Sequence, residues 1–346
     1  MKKRFVLMAL FIVLIAGLCL VFRVDQGLAA SEGKLITLNM ALFHGPATDS
    51  TIVWKNYEKK FEEVTKGRVR LKVFPSGSLV KGTAQLDGVQ RSITDLAFSW
   101  PSYHGQTYPI SDMCITPGIF RDIKGAREAY ENGIKDILEE EYAAAGLDNV
   151  QVIAMLQFGG RYICSNKKVR VPNDLNGLKF KSTGAAEVEL LRLCGVGTTG
   201  MNLGEVYEAL QRNVIDGAPA TLGNMHNEKW GEVAKYFVDE PLFGQSAMAL
   251  IGSRKSLSKI PEDLKGTVIE LLKGALYRIE LVRLENDDYV RNTWLPMKGV
   301  QIYKPTFEEK ALWKEKTTQV FQKWLARSGD RGKRALAIAQ KYNAEN

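Results

Sequence analysis

Two cationic side chains sit where they could hold an anion. Arg161 follows Gly159 and Gly160 in the run FGGRYICSN, and Lys181 closes the segment GLKFK. A planar guanidinium grips a carboxylate through two parallel hydrogen bonds, which makes arginine the preferred side chain for buried recognition of that group. The preceding glycines would let a ligand come close to the backbone. Lysine keeps the charge and loses the fork, so it attracts a carboxylate, sulfonate or hydroxy-acid oxygen while fixing its orientation less tightly. Each residue also has a plainer reading, an arginine paired with a neighbouring acid and a lysine held in water.

Other chemistry finds little support in the chain. No GxSxG, HExxH, P-loop or dinucleotide glycine pattern occurs in a supporting context. His44, His104 and His226 are widely separated and lack metal-ligand spacing, so neither a metal site nor a cofactor is expected. Carboxylates are plentiful, but no spaced pair stands out as acid and base. Phe43, Phe98, Trp100, Tyr103 and Phe158, with polar His44 and Gln157 among them, would suit a cleft for a ligand of partly apolar or ring character. For each of them a place in the core is an equal alternative.

The elements that must position these groups centre on Met201 to Ala220. Asn202 followed by Glu205 has the spacing of a capping box and predicts a helix start. Leu203, Val206, Tyr207 and Leu210 then form one apolar helical face, and Arg212 stands in the last turn, where positive charge suits the helix dipole. Val214 to Asp216 reads as a short buried strand closed by Gly217, with Asp216 as a structural group at its end.

These residues carry a resemblance. EVYEALQ with the following VIDG, GRVRLKVFPSGSL at 67–79, FGGRYICSN and DLNGLKFK are similar, in the same order, to segments of the solute-binding proteins of tripartite ATP-independent periplasmic (TRAP) transporters, the DctP-like family. The similarity covers essentially all of the mature chain. It implies an α/β, two-domain, periplasmic-binding-protein-like (Venus flytrap) fold, with a long helix bridging both domains. It further implies capture of a small organic anion by domain closure and delivery to membrane permease subunits. In this family the arginine at the position of Arg161 binds the substrate carboxylate. The second carboxylate-binding arginine is Lys181 here, and the usual Glu-Asn after Asp216-Gly217 is Pro219-Ala220, which removes a donor that Asn224 could replace. These departures put a simple dicarboxylate or sialic acid in question. The expected ligand-binding set is Arg161, Lys181, Trp100, Tyr103, Phe158, His44, Ala220 and Asn224.

A chain of 346 residues accommodates two domains, and its 45% hydrophobic and 25% charged content is that of a soluble globular protein. Lys2, Lys3 and Arg4 precede an apolar run from Phe5 to Phe22 and then small Gly27, Ala29 and Ala30, which reads as a signal peptide cleaved after Ala29 or Ala30. An uncleaved anchor is the alternative. Without residues 1–30 the formal charge falls from +8 to +5, with no basic block, so no nucleic acid is expected as partner. Cys114, Cys164 and Cys194 read as three buried thiols, with one disulfide as the alternative.

Strands alternating with helices predict a mainly parallel sheet architecture. The expected division is 31–158 plus 247–285 for domain I and 159–246 plus 286–346 for domain II, with the first crossing at Gly159-Gly160. Residues 124–146 read as one amphipathic helix, and Pro261 opens a helix running to about Val290. Helices at 306–326 and 331–343 close the chain. The expected protein is a monomer in the periplasm. A ligand-sensing subunit of a signalling system and a periplasmic enzyme on a similar scaffold are the alternatives.

Overall fold

The computed structural model describes residues 35–344, so the expected leader lies outside the described residues. The first strands are β1 (Ile36–Leu42), β2 (Val69–Phe74), β3 (Leu96–Ser99) and the long β4 (Val150–Gly160). After Arg161 come β5 (Tyr162–Ser165), β6 (Lys179–Ser182), β7 (Gly197–Gly200), β8 (Gly217–Ala220) and β9 (Tyr236–Val238). The chain then returns through β10 (Gln245–Ser253), and β11 (Gln301–Tyr303) follows much later. Hydrogen bonding sorts these into a five-stranded sheet ordered β2-β1-β3-β10-β4 and a six-stranded sheet ordered β11-β9-β5-β8-β6-β7. In the first, β1 runs parallel to β2 and β3, while β10 is antiparallel to both β3 and β4.

The chain passes between the sheets at Gly159-Gly160-Arg161. Gly159 holds a φ of +78°, which L side chains rarely adopt. A Cβ on Gly160 would lie 2.7 Å from the Cβ of Pro241, on the returning segment. Arg161 N–H donates to Gly244 O at 3.4 Å and Phe243 N–H to Arg161 O at 3.3 Å, so the two crossing segments are tied side by side.

The helices used below are α1 (Asp49–Val64), α2 (Ile123–Ala129), α3 (Lys135–Ala144), α4 (Ala185–Leu193), α5 (Val206–Gln211), α6 (Leu222–Asn227), α7 (Glu262–Tyr289) and α8 (Phe307–Ala344). Thr48 caps α1, accepting from Thr51 N–H, and the helix buries Trp54 and Phe61 beneath it. The amphipathic stretch at 124–146 is two helices, because Asn132 and Gly133 leave helical geometry and Gly133 takes a φ of +133°. Helix α7 packs on α1 and β4 at one side and on α6 at the other, touching elements that flank both sheets. Its buried stripe steps from Leu264 and Val268 through Leu272, Ala275, Leu276 and Ile279 to Glu280 and Arg283. The span α8 is two helices meeting at Gly329, which takes a φ of +57°, and it packs on α2, α3, the turn at 109–115 and α4.

The central motif folds with one shift from expectation. Glu205 does reach back to Asn202 N–H at 2.9 Å, but the first turn is 3-10 before α5 begins at Val206. The strand is Gly217–Ala220 rather than 214–216. Asn213 turns the chain at φ +54° and leaves Val214 59% exposed, so this apolar residue marks a turn and not a strand. Asp216 then locks the entry to β8, its carboxylate accepting from Lys179 N–H at 2.9 Å.

Candidate ligand-binding site

A cavity lined by residues from both sheets and from α7 lies between the sheets. The wall from the first sheet is aromatic. Phe43 and His44 follow β1, Trp100 and Tyr103 follow β3, and Phe158 comes from the end of β4. His44 stacks on Phe43 with ring centres 4.3 Å apart, and Trp100 meets Phe158 edge to face at 6.4 Å.

The facing wall carries the charge. Arg161 stands at the crossing, Lys181 on β6, and Arg283 reaches in from α7. All three are buried. The guanidinium of Arg161 lies 5.0 Å over the Trp100 ring and that of Arg283 lies 4.1 Å over Phe158, a stacking that lysine could not reproduce.

Each cation is held from behind. Arg161 Nη2 donates to Pro219 O at 3.0 Å, and its Nε lies 2.6 Å from Oε1 of the fully buried Glu187. That contact is an ion pair without an aligned hydrogen bond, so Arg161 Nε and Glu187 Oε1 both lack a hydrogen-bond partner. The other Glu187 oxygen accepts from Thr183 N–H at 2.7 Å. Lys181 Nζ donates to Thr183 Oγ1. Arg283 Nη2 donates to Phe158 O at 3.1 Å, and its Nη1 occupies the space a Cβ on Gly223 would need.

The electrostatics follow from burial. Desolvation lowers the Lys181 ammonium to about 8, and Glu187 opposes the shift. Burial, with help from Arg283, pushes His44 down to about 3, so its ring is neutral here. Burial raises the Tyr103 phenol to about 12, keeping its proton in place. His44 Nδ1, Trp100 Nε1 and Trp230 Nε1 are buried without hydrogen-bond partners. Unpaired polar atoms of this kind are costly, and a ligand entering between them could satisfy some.

Of the residues expected at the site, Arg161, Lys181, Trp100, Tyr103, Phe158, His44 and Asn224 line this one cavity. Ala220 does not, being fully buried in β8 and paired with Tyr162. Asn224 sits at the wall with its side-chain oxygen accepting from the N–H of Thr221, the N-cap of α6, at 3.0 Å, and so completes a capping box. Phe98 is fully buried in the core beside His44, and Gln157 is buried outside the lining. Arg283, Glu187 and Glu228 were not anticipated. Arg283 had a signal, since it falls four residues after Ile279 and seven after Leu276, a charge on the apolar stripe of a helix.

Among the described residues no group of three or more His, Cys, Asp or Glu side chains could hold a metal ion. Cys114, Cys164 and Cys194 are buried and unbridged. No described helix is long and apolar enough to cross a membrane.

Residues 42–328 match the family described as bacterial extracellular solute-binding protein, family 7 (DctP). The 2,3-diketo-L-gulonate-binding periplasmic protein YiaO of Escherichia coli is 26% identical over 82% of this chain and 83% of its own. The C4-dicarboxylate-binding periplasmic protein DctP of Rhodobacter capsulatus is 25% identical over 79% and 81%. Among solved structures, a TRAP solute-binding protein from Sulfurospirillum deleyianum with bound succinate superposes with a TM-score of 0.79 at 22% identity, covering 90% of this chain and all of that one (100%). A Bordetella pertussis extracytoplasmic solute receptor binding pyroglutamic acid gives a TM-score of 0.82 at 16% identity over 88% and 99%. With two sheets, a cavity between them and a family match over most of its length, the chain belongs to the DctP family of extracytoplasmic solute-binding proteins of TRAP transporters.

Proposed function

We propose that this protein captures a small organic anion in the cavity at Arg161 by closing two lobes, and delivers it unchanged to the permease of a TRAP transporter. The observation that carries this reading is the convergence of Arg161, Lys181 and Arg283 on one aromatic-walled cavity between the sheets. Relatives named for 2,3-diketo-L-gulonate and C4-dicarboxylate binding, and fold neighbours holding succinate and pyroglutamate, support an organic acid as ligand. The ligand bridges elements of both sheets, so its contacts would favour the closed arrangement over the open one.

In this reading residues 31–158 with 247–285 form one lobe and 159–246 with 286–346 the other. The membership of the strands supports that division, while α8 lies across it. The chain acts as a monomer in the periplasm after removal of residues 1–30, with neither catalysis nor a metal.

The test is calorimetry with an organic acid identified by mass spectrometry of copurifying molecules and a thermal-shift screen of organic acids and sulfonates. Arg161→Ala should cost about 2–5 kcal/mol of affinity, the penalty for truncating one member of a buried charged contact. Unchanged affinity would remove Arg161 from the site.

A further inference from the structure

Glu228 stands out among the side chains that line the cavity. It follows α6 as the residue that ends the helix, and it borders both the Arg161 cavity and a second, outer chamber. Among the described residues its carboxylate makes no hydrogen bond and no ion pair. Burial alone raises its pKa, with no compensating partner. Lys81, exposed at the rim of the outer chamber, is not paired with it.

Three physical costs meet at this residue. A carboxylate partly withdrawn from water, as the half-buried Glu228 is, is destabilised unless a charge or donors answer it. Its place at the end of a helix, where the backbone carbonyls gather, adds repulsion of the same sign. Within a cavity that binds an anion it would also repel any second anionic group of the ligand. An uncharged polar residue would avoid all three. Phe43 and Tyr103 border both chambers beside it and present aromatic surface, which a cation favours.

We propose, on the basis of the anion site above, that the physiological ligand is zwitterionic, with its carboxylate at Arg161 and Arg283 and a cationic nitrogen at Glu228. The ligand spans the junction of the two chambers, neutralises the unpaired acid and excludes plain dicarboxylates. Glu228 is then the residue that sets specificity, while the arginines set the affinity for the acid group.

The test uses the mature chain and a series of α,ω-amino acids from β-alanine to 6-aminohexanoate, each beside the dicarboxylate and the hydroxy acid of matching length. Thermal shift finds the best length and calorimetry measures it. The amino acid should bind roughly tenfold or more tightly than its dicarboxylate, a ratio set by one mismatched charge in a desolvated site. Glu228→Gln should collapse that ratio while leaving the melting temperature of the empty protein no lower. Equal or tighter binding of the dicarboxylate or hydroxy acid, an unchanged ratio in Glu228→Gln, or failure of every amino acid to stabilise the protein overturns the proposal. Arg161→Ala in parallel separates the two levels. If it abolishes binding of a dicarboxylate that the wild type accepts freely, the anion site stands and only the zwitterion falls; if binding survives it, the anion site itself falls.

Discussion

Arg161 and Glu187 meet at 2.6 Å inside the protein, with 3% and 0% of their side chains exposed. The sequence offered two readings of Arg161, a ligand contact and a structural arginine paired with an acid, and the geometry joins them. Glu187 neutralises the guanidinium from behind while Arg161 still faces the cavity. An anion arriving there must share Arg161 with a resident carboxylate, which lowers its affinity below what a free guanidinium would give.

Glu187→Gln separates those contributions. Breaking a buried pair by removing one charge typically costs about 3–5 kcal/mol, because the partner is left uncompensated. The empty variant should therefore melt at lower temperature than wild type. Among the described residues no other acid pairs with Arg161, so a bound organic anion then supplies its counter-charge and the ligand-induced rise in melting temperature should exceed that of wild type. Scanning fluorimetry with and without ligand checks both, and an equal rise would show that Glu187 and the ligand do not compete for the guanidinium.

Lys181 gives the site a pH dependence of its own. Its folded-state value of about 8 lies below the ordinary value of 10.5, with burial as the main cause. Between those two values the unfolded chain holds more protons than the native one, so stability of the empty protein should rise with pH through that window. Anion affinity should move the opposite way and fall as pH rises through about 8, where the ammonium is lost. Lys181→Arg keeps the charge and should flatten the affinity profile while tightening plain carboxylates. Calorimetry in buffers of different ionisation enthalpy reads the proton uptake directly.

The parts of this molecule that were legible in the sequence are those governed by local periodicity and punctuation. VRLKVF shows β2 by its alternation of buried and exposed positions, and Gly159-Gly160 marks the crossing. One failure was also local. Val214-Ile215 looked like a strand because both are apolar and β-branched, yet Asn213 in a left-handed conformation places Val214 in solvent. Arg283 escaped because it lies far beyond Arg161 in the chain, on a helix whose pattern identifies the stripe but not the cavity beneath its end. Glu228 carried no motif at all, and only the tertiary fold reveals that it is half-buried and unpaired.

Arg283 should be as important to binding as Arg161. Arg283→Gln removes a buried cation whose Nη2 serves Phe158 O, and about 2–5 kcal/mol of anion affinity should go with it. A second readout is specific to its place. Arg283 is the lesser of two causes that push His44 down to about 3, burial being the larger. In the variant the His44 ring should titrate higher than in wild type and still below 6.5, as followed by NMR of the ring protons. An unmoved His44 would mean that the two side chains do not share a field.

Asp112 supplies a test outside the cavity lining. It sits in the turn at 109–115, fully buried, with one oxygen accepting from Ala186 N–H at 2.6 Å at the start of α4 and the other unpaired. Gly105 and Gly184 leave it room, since a Cβ at either would fall within 2.4 Å and 2.2 Å of its Oδ1. Burial pushes its carboxyl up to about 7 against an ordinary value of 3.8, so between those values the native protein holds more protons than the unfolded chain. Stability must then fall as pH rises through that range, and the full penalty is present above about 7. Asp112→Asn keeps the shape and removes the charge. The difference in melting temperature between variant and wild type should grow in favour of the variant from about pH 4 to about pH 7 and level off above it. Glu141, also raised to about 7 by burial, contributes equally to both proteins and cancels in that difference. A flat difference across the range would show that Asp112 stays ionised in the native fold.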